Sequence, residues 1–206
     1  MRGLEELTAQ ALLEQAVERH HPRLVMACSF QKEESVLIDM LMEIEPAARV
    51  FTIDTGVLFP ETYAVWREVE QRYGLSIEVY DAASPDGPWT GGNHCCSVNG
   101  AKVAALEEAL SGVDAWITGI RREQSPTRAD AAYLERDEKR GIWKFNPLAD
   151  WSEKDVWRYI HERDVPHHPL HDRGYASIGC APCTLPGEGR EGRWAGEEKT
   201  ECGLHV

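Results

Sequence analysis

Four of the six cysteines fall in two close pairs: the tandem Cys95-Cys96, and Cys180-Ala181-Pro182-Cys183 about eighty positions later. Thiolates are strong ligands for soft metals. Adjacent side chains diverge too much to crowd onto one small ion, whereas a multi-iron cluster offers a separate iron to each sulfur, so the pairs read together as one iron–sulfur site. Beside that reading stand a four-thiolate zinc site, which Cys-x-x-Cys fits well, incidental buried cysteines at the tandem half, and, weakest, a disulfide framework. A fifth cysteine, Cys202, lies four residues from the end beside Gly203 and near Lys199 and His205. Exposure and local positive charge favour a reactive thiolate there, against the plainer account of an incidental surface cysteine. The sixth, Cys28, sits inside an apolar run and reads as core packing.

Arginine is the second group with chemical potential. Gly119-Ile120-Arg121-Arg122-Glu123-Gln124-Ser125-Pro126-Thr127-Arg128 holds three guanidinium groups behind a strand candidate, and Arg190 and Arg193 recur in a Gly-rich stretch. Guanidinium forks at a strand's carboxyl end point to anion binding rather than to a solvated turn. The formal net charge of −13 repels polyanions, so extended nucleic-acid binding is not expected. His167, His168 and His171 could ligate metal, but in a Pro-rich loop they read as polar loop residues.

The elements that must position these groups follow from periodicity. Leu4, Leu7, Ala11, Leu12 and Val17 predict a helix over 4–19, ended by His21-Pro22. Strands are expected at 23–28, 50–53, 75–80 and 115–118, with 142–145 as a final one. Helices are expected at 34–44, at 60–73 with Pro60 in the first turn, from the tandem cysteines to Leu110, and from a Ser152 cap completed by Asp155 to about Glu162. Strands alternating with helices imply an α/β fold of parallel βαβ units, with ligand sites at the strand carboxyl ends. The loop Ser29-Phe30-Gln31-Lys32-Glu33 lies where such a sheet presents backbone N–H groups to phosphate.

At 206 residues the chain is long enough for one sizeable core, and 42% apolar with 28% charged residues is an ordinary globular balance. No apolar run is long enough for a membrane span, and the acidic, amphipathic start lacks the pattern of an export signal. A cytoplasmic, reducing compartment is therefore expected, where cysteines bind metal or do chemistry rather than form structural disulfides.

On these residues the chain resembles the assimilatory adenylyl-sulfate reductases, within the wider family that also contains phosphoadenylyl-sulfate reductases. The pieces that carry the resemblance are Cys95-Cys96, the 119–128 loop, Cys180-x-x-Cys183 and Glu201-Cys202-Gly203-Leu204-His205. It implies an adenine-nucleotide alpha-hydrolase-like parallel-sheet sandwich with an irregular C-terminal tail: a nucleotide-binding domain over 1–185 and a mobile catalytic tail over 186–206. It also implies one [4Fe–4S] cluster per chain on Cys95, Cys96, Cys180 and Cys183, and Cys202 as nucleophile. Substrate contacts are implied at Ser29, Phe30, Gln31 and Lys32 of the phosphate loop, at Asp54, Thr55 and Gly56 beside the adenosine, and at Gly119, Arg121, Arg128, Arg190, Arg193 and His205. Where the family places an Arg-Lys pair after the tandem cysteines this chain has Asn99-Gly100, so Lys102 or another cation would take that role.

The implied chemistry can be checked by counting thiols. Reducing an activated sulfate to sulfite takes two electrons, and a thiolate that attacks sulfur must be released by a second thiol. With four cysteines on metal and Cys28 buried, that thiol comes from outside, which makes thioredoxin or a similar dithiol protein the expected partner. A reductase of the 3′-phosphorylated nucleotide, or of both nucleotides, is the near alternative. A non-catalytic zinc and nucleotide-binding module is the distant one, and homo-oligomer formation is left open. A nucleotidyltransferase on the same fold would need a Gly-rich phosphate loop, which the 29–33 stretch lacks.

Overall fold

The computed structural model describes residues 8–83 and 100–194. Thr8 caps the first helix, α1 (Ala9–His20), its hydroxyl accepting from the Ala11 N–H at 3.2 Å, while Leu12, Leu13 and Ala16 turn inward. Strand β1 (Leu24–Ala27) leads through a short loop into α2 (Lys32–Ile44). Next come β2 (Arg49–Asp54), α3 (Pro60–Tyr73), β3 (Glu78–Asp81), α4 (Ala101–Ala109) and β4 (Ala115–Ile117). The chain closes with β5 (Leu134–Asp137), β6 (Ile142–Phe145) and α5 (Glu153–Arg163). Pro60 sits in the first turn of α3 and Gly74 ends it in the left-handed region at φ 64°, where a side chain would be strained. Ser152 and Asp155 form the expected reciprocal cap of α5.

The six strands lie in the order β3-β2-β1-β4-β6-β5, all parallel except for the antiparallel β5–β6 edge pair. Strand side chains alternate between two cores. Met26, Val50 and Ile117 face the larger one, packed by α1, α2, α3 and α5, whereas Val25, Phe51 and Trp116 face a smaller one with Leu106 and Ala109 of α4 and Leu110 just beyond it. Near-continuous apolar strands are what a sheet covered on both faces demands. Because β1 pairs with β2 on one side and β4 on the other, the strand order reverses beside β1. A crevice opens there at the carboxyl ends. Among the described residues no helix is long and apolar enough to cross a membrane.

Two expectations need correction, and one strand was not expected. The 142–145 strand pairs with β4 on one side and on the other with the edge strand β5, whose Leu-Glu-Arg-Asp sequence carries no alternating apolar pattern. Backbone pairing with β6 and ion pairs from Glu135 to Lys144 (2.7 Å) and from Asp137 to Arg140 (2.6 Å) hold it instead. The third strand begins at Glu78, three residues later than the alternation at Leu75 suggests. The 186–194 stretch, read as the start of a mobile tail, folds back on the body. The Leu185 N–H donates to Gly192 O at 2.8 Å, that of Trp194 to Cys183 O at 2.8 Å, and Trp194 is buried.

Candidate active site

The crevice has two walls. The first is the loop between β1 and α2. Phe30 adopts φ 59°, a conformation costly for a side-chain-bearing residue, and its buried ring stacks on Trp66 at 5.4 Å. Gln31 caps α2 and Glu34 reciprocates: Glu34 Oε2 accepts from the Gln31 N–H and from the Ser29 hydroxyl, both at 3.2 Å. Burial and the neighbouring Glu33 carboxylate push the half-buried Glu34 up to about 8, so its carboxyl is mostly protonated near neutral pH. Gly119 faces it, and a Cβ there would collide with that carboxyl.

Behind the loop, Lys32 is buried, donating to Ala176 O at 3.0 Å and pairing with Glu153 at 3.1 Å. Arg121 is also buried. Its Nε and Nη2 both reach Glu33 Oε1 at 2.9 Å and its Nη1 donates to Trp151 O at 3.1 Å. Burial alone would raise the Glu33 carboxyl, but Lys32 and Arg121 outweigh it and hold Glu33 below the usual range.

The second wall is the cysteine turn. Cys180 and Cys183 are both buried around the short turn Ala181–Cys183, packed with Trp194, Val57, Leu58 and Ala101 at the start of α4. Thr55, at the carboxyl end of β2, is turned toward this wall: its hydroxyl lies 3.2 Å from Cys180 Sγ. Beside it, Asp54 Oδ1 accepts from the Gly56 N–H and from the Tyr63 hydroxyl at 2.8 Å each, and burial followed by Asp54 pushes Tyr63 up to about 12.

The walls are joined by the strap 176–179. Gln31 Oε1 accepts from the Ile178 N–H at 2.8 Å and from the Ser177 hydroxyl at 3.3 Å. Between them lies a cavity of about 170 Å³, lined by the 29–34 loop, Lys102, Gly119, Arg121, Arg128, the strap, Arg190 and Arg193. The tertiary fold thus brings together basic residues that the chain keeps up to 161 positions apart, from Lys32 to Arg193.

A protein-family model, the phosphoadenosine phosphosulfate reductase domain, matches residues 23–186. The chain belongs to this family. The adenosine 5′-phosphosulfate reductase of Geobacillus kaustophilus is 45% identical over 93% of this chain and 87% of its own length. The phosphoadenosine 5′-phosphosulfate reductase of Gloeobacter violaceus is 43% identical over 100% of this chain and 91% of its own length. A crystal structure of phosphoadenylyl-sulfate reductase from Candida auris, in a phosphate complex, matches with a TM-score of 0.76 at 30% identity, over 89% of this chain and 93% of that one. The FMN adenylyltransferase of Candida glabrata, at 17% identity and a TM-score of 0.66 over 88% of this chain and 62% of that one, shares the fold alone. The expected adenine-nucleotide alpha-hydrolase-like sandwich is the fold of this phosphosulfate reductase domain.

Within the reductase domain the expected contacts are not all alike. Ser29, Phe30, Gln31, Lys32, Lys102, Gly119, Arg121, Arg128, Arg190 and Arg193 line one cavity, whereas Asp54, Thr55 and Gly56 lie at its cysteine side. Cys95, Cys96, Cys202 and His205 lie outside the described residues. The histidines differ from expectation. His168 is fully buried, Leu170 N donating to its Nδ1 at 3.3 Å and its Nε2–H donating to Thr62 at 2.9 Å. Burial, then His171, pushes it down to about 4; His171, which donates from Nδ1 to Tyr175 O at 2.8 Å, is pushed to about 4 by burial and Lys32. Sequence reasoning also passed over Glu34, Ser177 and Gly179. Of these only Gly179, directly before Cys180, carried a signal, since a glycine beside a buried turn often marks a close approach.

Proposed function

We propose that this chain reduces adenylyl sulfate to sulfite and adenosine monophosphate, as a cytoplasmic step of sulfate assimilation. The observation that carries this reading is the cavity at the strand carboxyl ends, where the 29–34 loop faces Arg128, Arg190 and Arg193 beside the Cys180–Cys183 turn. A compact anion with two charged ends fits such a lining, since guanidinium groups recognise phosphoryl and sulfo oxygens alike. The relatives named for adenosine 5′-phosphosulfate support it.

The cysteine turn fits half of a [4Fe–4S] site: two buried thiols on one short turn, with a hydroxyl 3.2 Å from one sulfur. Ala101 packs on the same turn, and Cys96 lies five residues before it, within about 18 Å of chain. Cys95, Cys96, Cys180 and Cys183 would hold the cluster, which supplies electropositive iron and a rigid brace, not the two electrons. Residues 195–206 would act as the catalytic tail. The Cys202 thiolate attacks sulfur, the sulfur–oxygen bond to the phosphate breaks, and adenosine monophosphate leaves with that electron pair. A thioredoxin-like dithiol then attacks Cys202 Sγ and sulfite departs with the electron pair of the broken S–S bond. The partner's second thiol closes its disulfide and frees Cys202, so the partner is oxidised by two electrons.

Incubating anaerobically purified protein with adenylyl sulfate and no reductant tests the step: intact mass is expected to rise by one sulfo group, mapped to Cys202. Cys202→Ser is expected to keep nucleotide binding and lose turnover by several orders of magnitude. No adduct, or a near wild-type rate in Cys202→Ser, would overturn the covalent route. Stoichiometric zinc without iron or acid-labile sulfide would overturn the cluster. The relatives named for the 3′-phosphorylated nucleotide favour a second reading, and kcat/KM for the two nucleotides decides between them.

A further inference from the structure

Gly179 stands at the centre of the strap, and its backbone is outside the left-handed region, so conformational freedom does not explain the glycine. Space does. A Cβ built there would lie 2.9 Å from Arg193 Nε and closer still to Cζ and Nη2, and these are its three nearest atoms. The guanidinium lies flat across the strap: Nη1 donates to Ile178 O at 3.1 Å and Ser177 Oγ at 3.3 Å, and the Trp194 ring lies 4.6 Å away. Arg193 is only 7% exposed, and among the described residues no carboxylate pairs with it and its Nε has no acceptor. From the other side Gln31 grips the same two strap residues, so the strap is clamped between the cap of α2 and Arg193.

We propose that Gly179 is a positioning residue for the anionic end of the substrate: its missing Cβ lets Arg193 lie across the strap with its charge directed at the cavity. Any side chain at 179 evicts the guanidinium and the site loses its aligned cation. The inference rests on the cavity being the adenylyl-sulfate site, and it names the residue that holds one of the cavity's arginines, Arg193, in place.

Two measurements on the full chain test it. By calorimetric titration, Gly179→Ala is expected to weaken adenylyl sulfate binding by about tenfold to a hundredfold, the worth of a charge-assisted contact. Arg193→Ala is expected to do the same, and the double variant to be no worse than either, because both remove one interaction. Independently of any nucleotide, phenylglyoxal mapped by mass spectrometry is expected to modify Arg193 slowly in the wild-type protein and at least about tenfold faster in Gly179→Ala, as a guanidinium released from burial becomes accessible. If Gly179→Ala does not fold, the double variant is expected to fold, since every atom the methyl meets first belongs to Arg193. Additive losses in the double variant, unchanged protection of Arg193, or failure of both variants to fold would overturn the proposal. Wild-type protein that binds no adenylyl sulfate would instead overturn the functional reading, and the arginine mapping would still decide the role of Gly179.

Discussion

The two walls of the cavity each bury an arginine and handle its charge in opposite ways. Arg121, at the 29–34 loop, is met by the Glu33 carboxylate at 2.9 Å and by a backbone carbonyl, so its charge is neutralised within the protein. Arg193, at the cysteine turn, is held among the described residues by a hydroxyl, a carbonyl and an aromatic face. A buried ion pair is a structural element, and removing one partner exposes the cost of the charge left behind. A buried cation held by neutral groups keeps its field for a ligand. The same residue type, nearly equally buried, is thus paired with a carboxylate in one wall and left to neutral partners in the other, where the proposed function calls for a cation.

The sharpest way to break this contrast is to neutralise each arrangement in turn. Glu33→Gln leaves the buried Arg121 with the longer, exposed contact to Glu123 at 3.5 Å in place of its 2.9 Å pair, and is expected to cost about 3 kcal/mol in denaturant unfolding. Arg193→Ala is expected to cost less than about 1.5 kcal/mol, because it removes hydrogen bonds to neutral groups, while weakening substrate binding far more. Equal destabilisation by the two would erase the distinction.

Changing pH separates the strap side from the loop side. His168 and His171 have folded values of about 4 against an ordinary 6.5, so the unfolded chain takes up protons first. Stability is expected to fall as pH drops from 6.5 through 4, by about 3 kcal/mol for the fully buried His168 and less for His171. Glu34 acts in the opposite sense. With its folded value near 8 against an ordinary 4.5, stability is present at low pH and is lost as pH rises from 4.5 through 8, by about 2 kcal/mol after allowance for its partial exposure. Urea midpoints across this range, compared between wild type and Glu34→Gln, are expected to show the alkaline loss disappear in the variant. A parallel loss in both would assign it elsewhere.

The smallest expected effect sits where the walls meet. Ser177→Ala removes one neutral acceptor from Arg193 and one donor from the contact with Gln31. It is expected to weaken adenylyl sulfate binding by only about three- to fivefold. A loss as large as that of Arg193→Ala would mean that the strap, not the guanidinium, makes the contact.

What the amino-acid order determined by itself was everything that local periodicity or covalent spacing can encode. The strand-and-helix alternation around β1, β2 and β4, the Pro60 and Ser152 helix starts, the place of the 29–33 segment at the carboxyl end of β1 and the Cys180–Cys183 pair were all readable, because each is written within a few residues. Apolar strands had to be covered on both faces, and that requirement led to the α/β class. Tertiary structure alone decided the rest. The polar edge strand β5 exists only because β6 offers it a ladder; His168 is buried only because Thr62, 106 positions away, supplies its partner. Arg121 and Arg193 look equivalent as letters. Their roles diverge because Glu33 meets one across 88 positions, while Gly179, by lacking a side chain, makes room for the other, and such meetings are set by packing between elements rather than by neighbours in the chain.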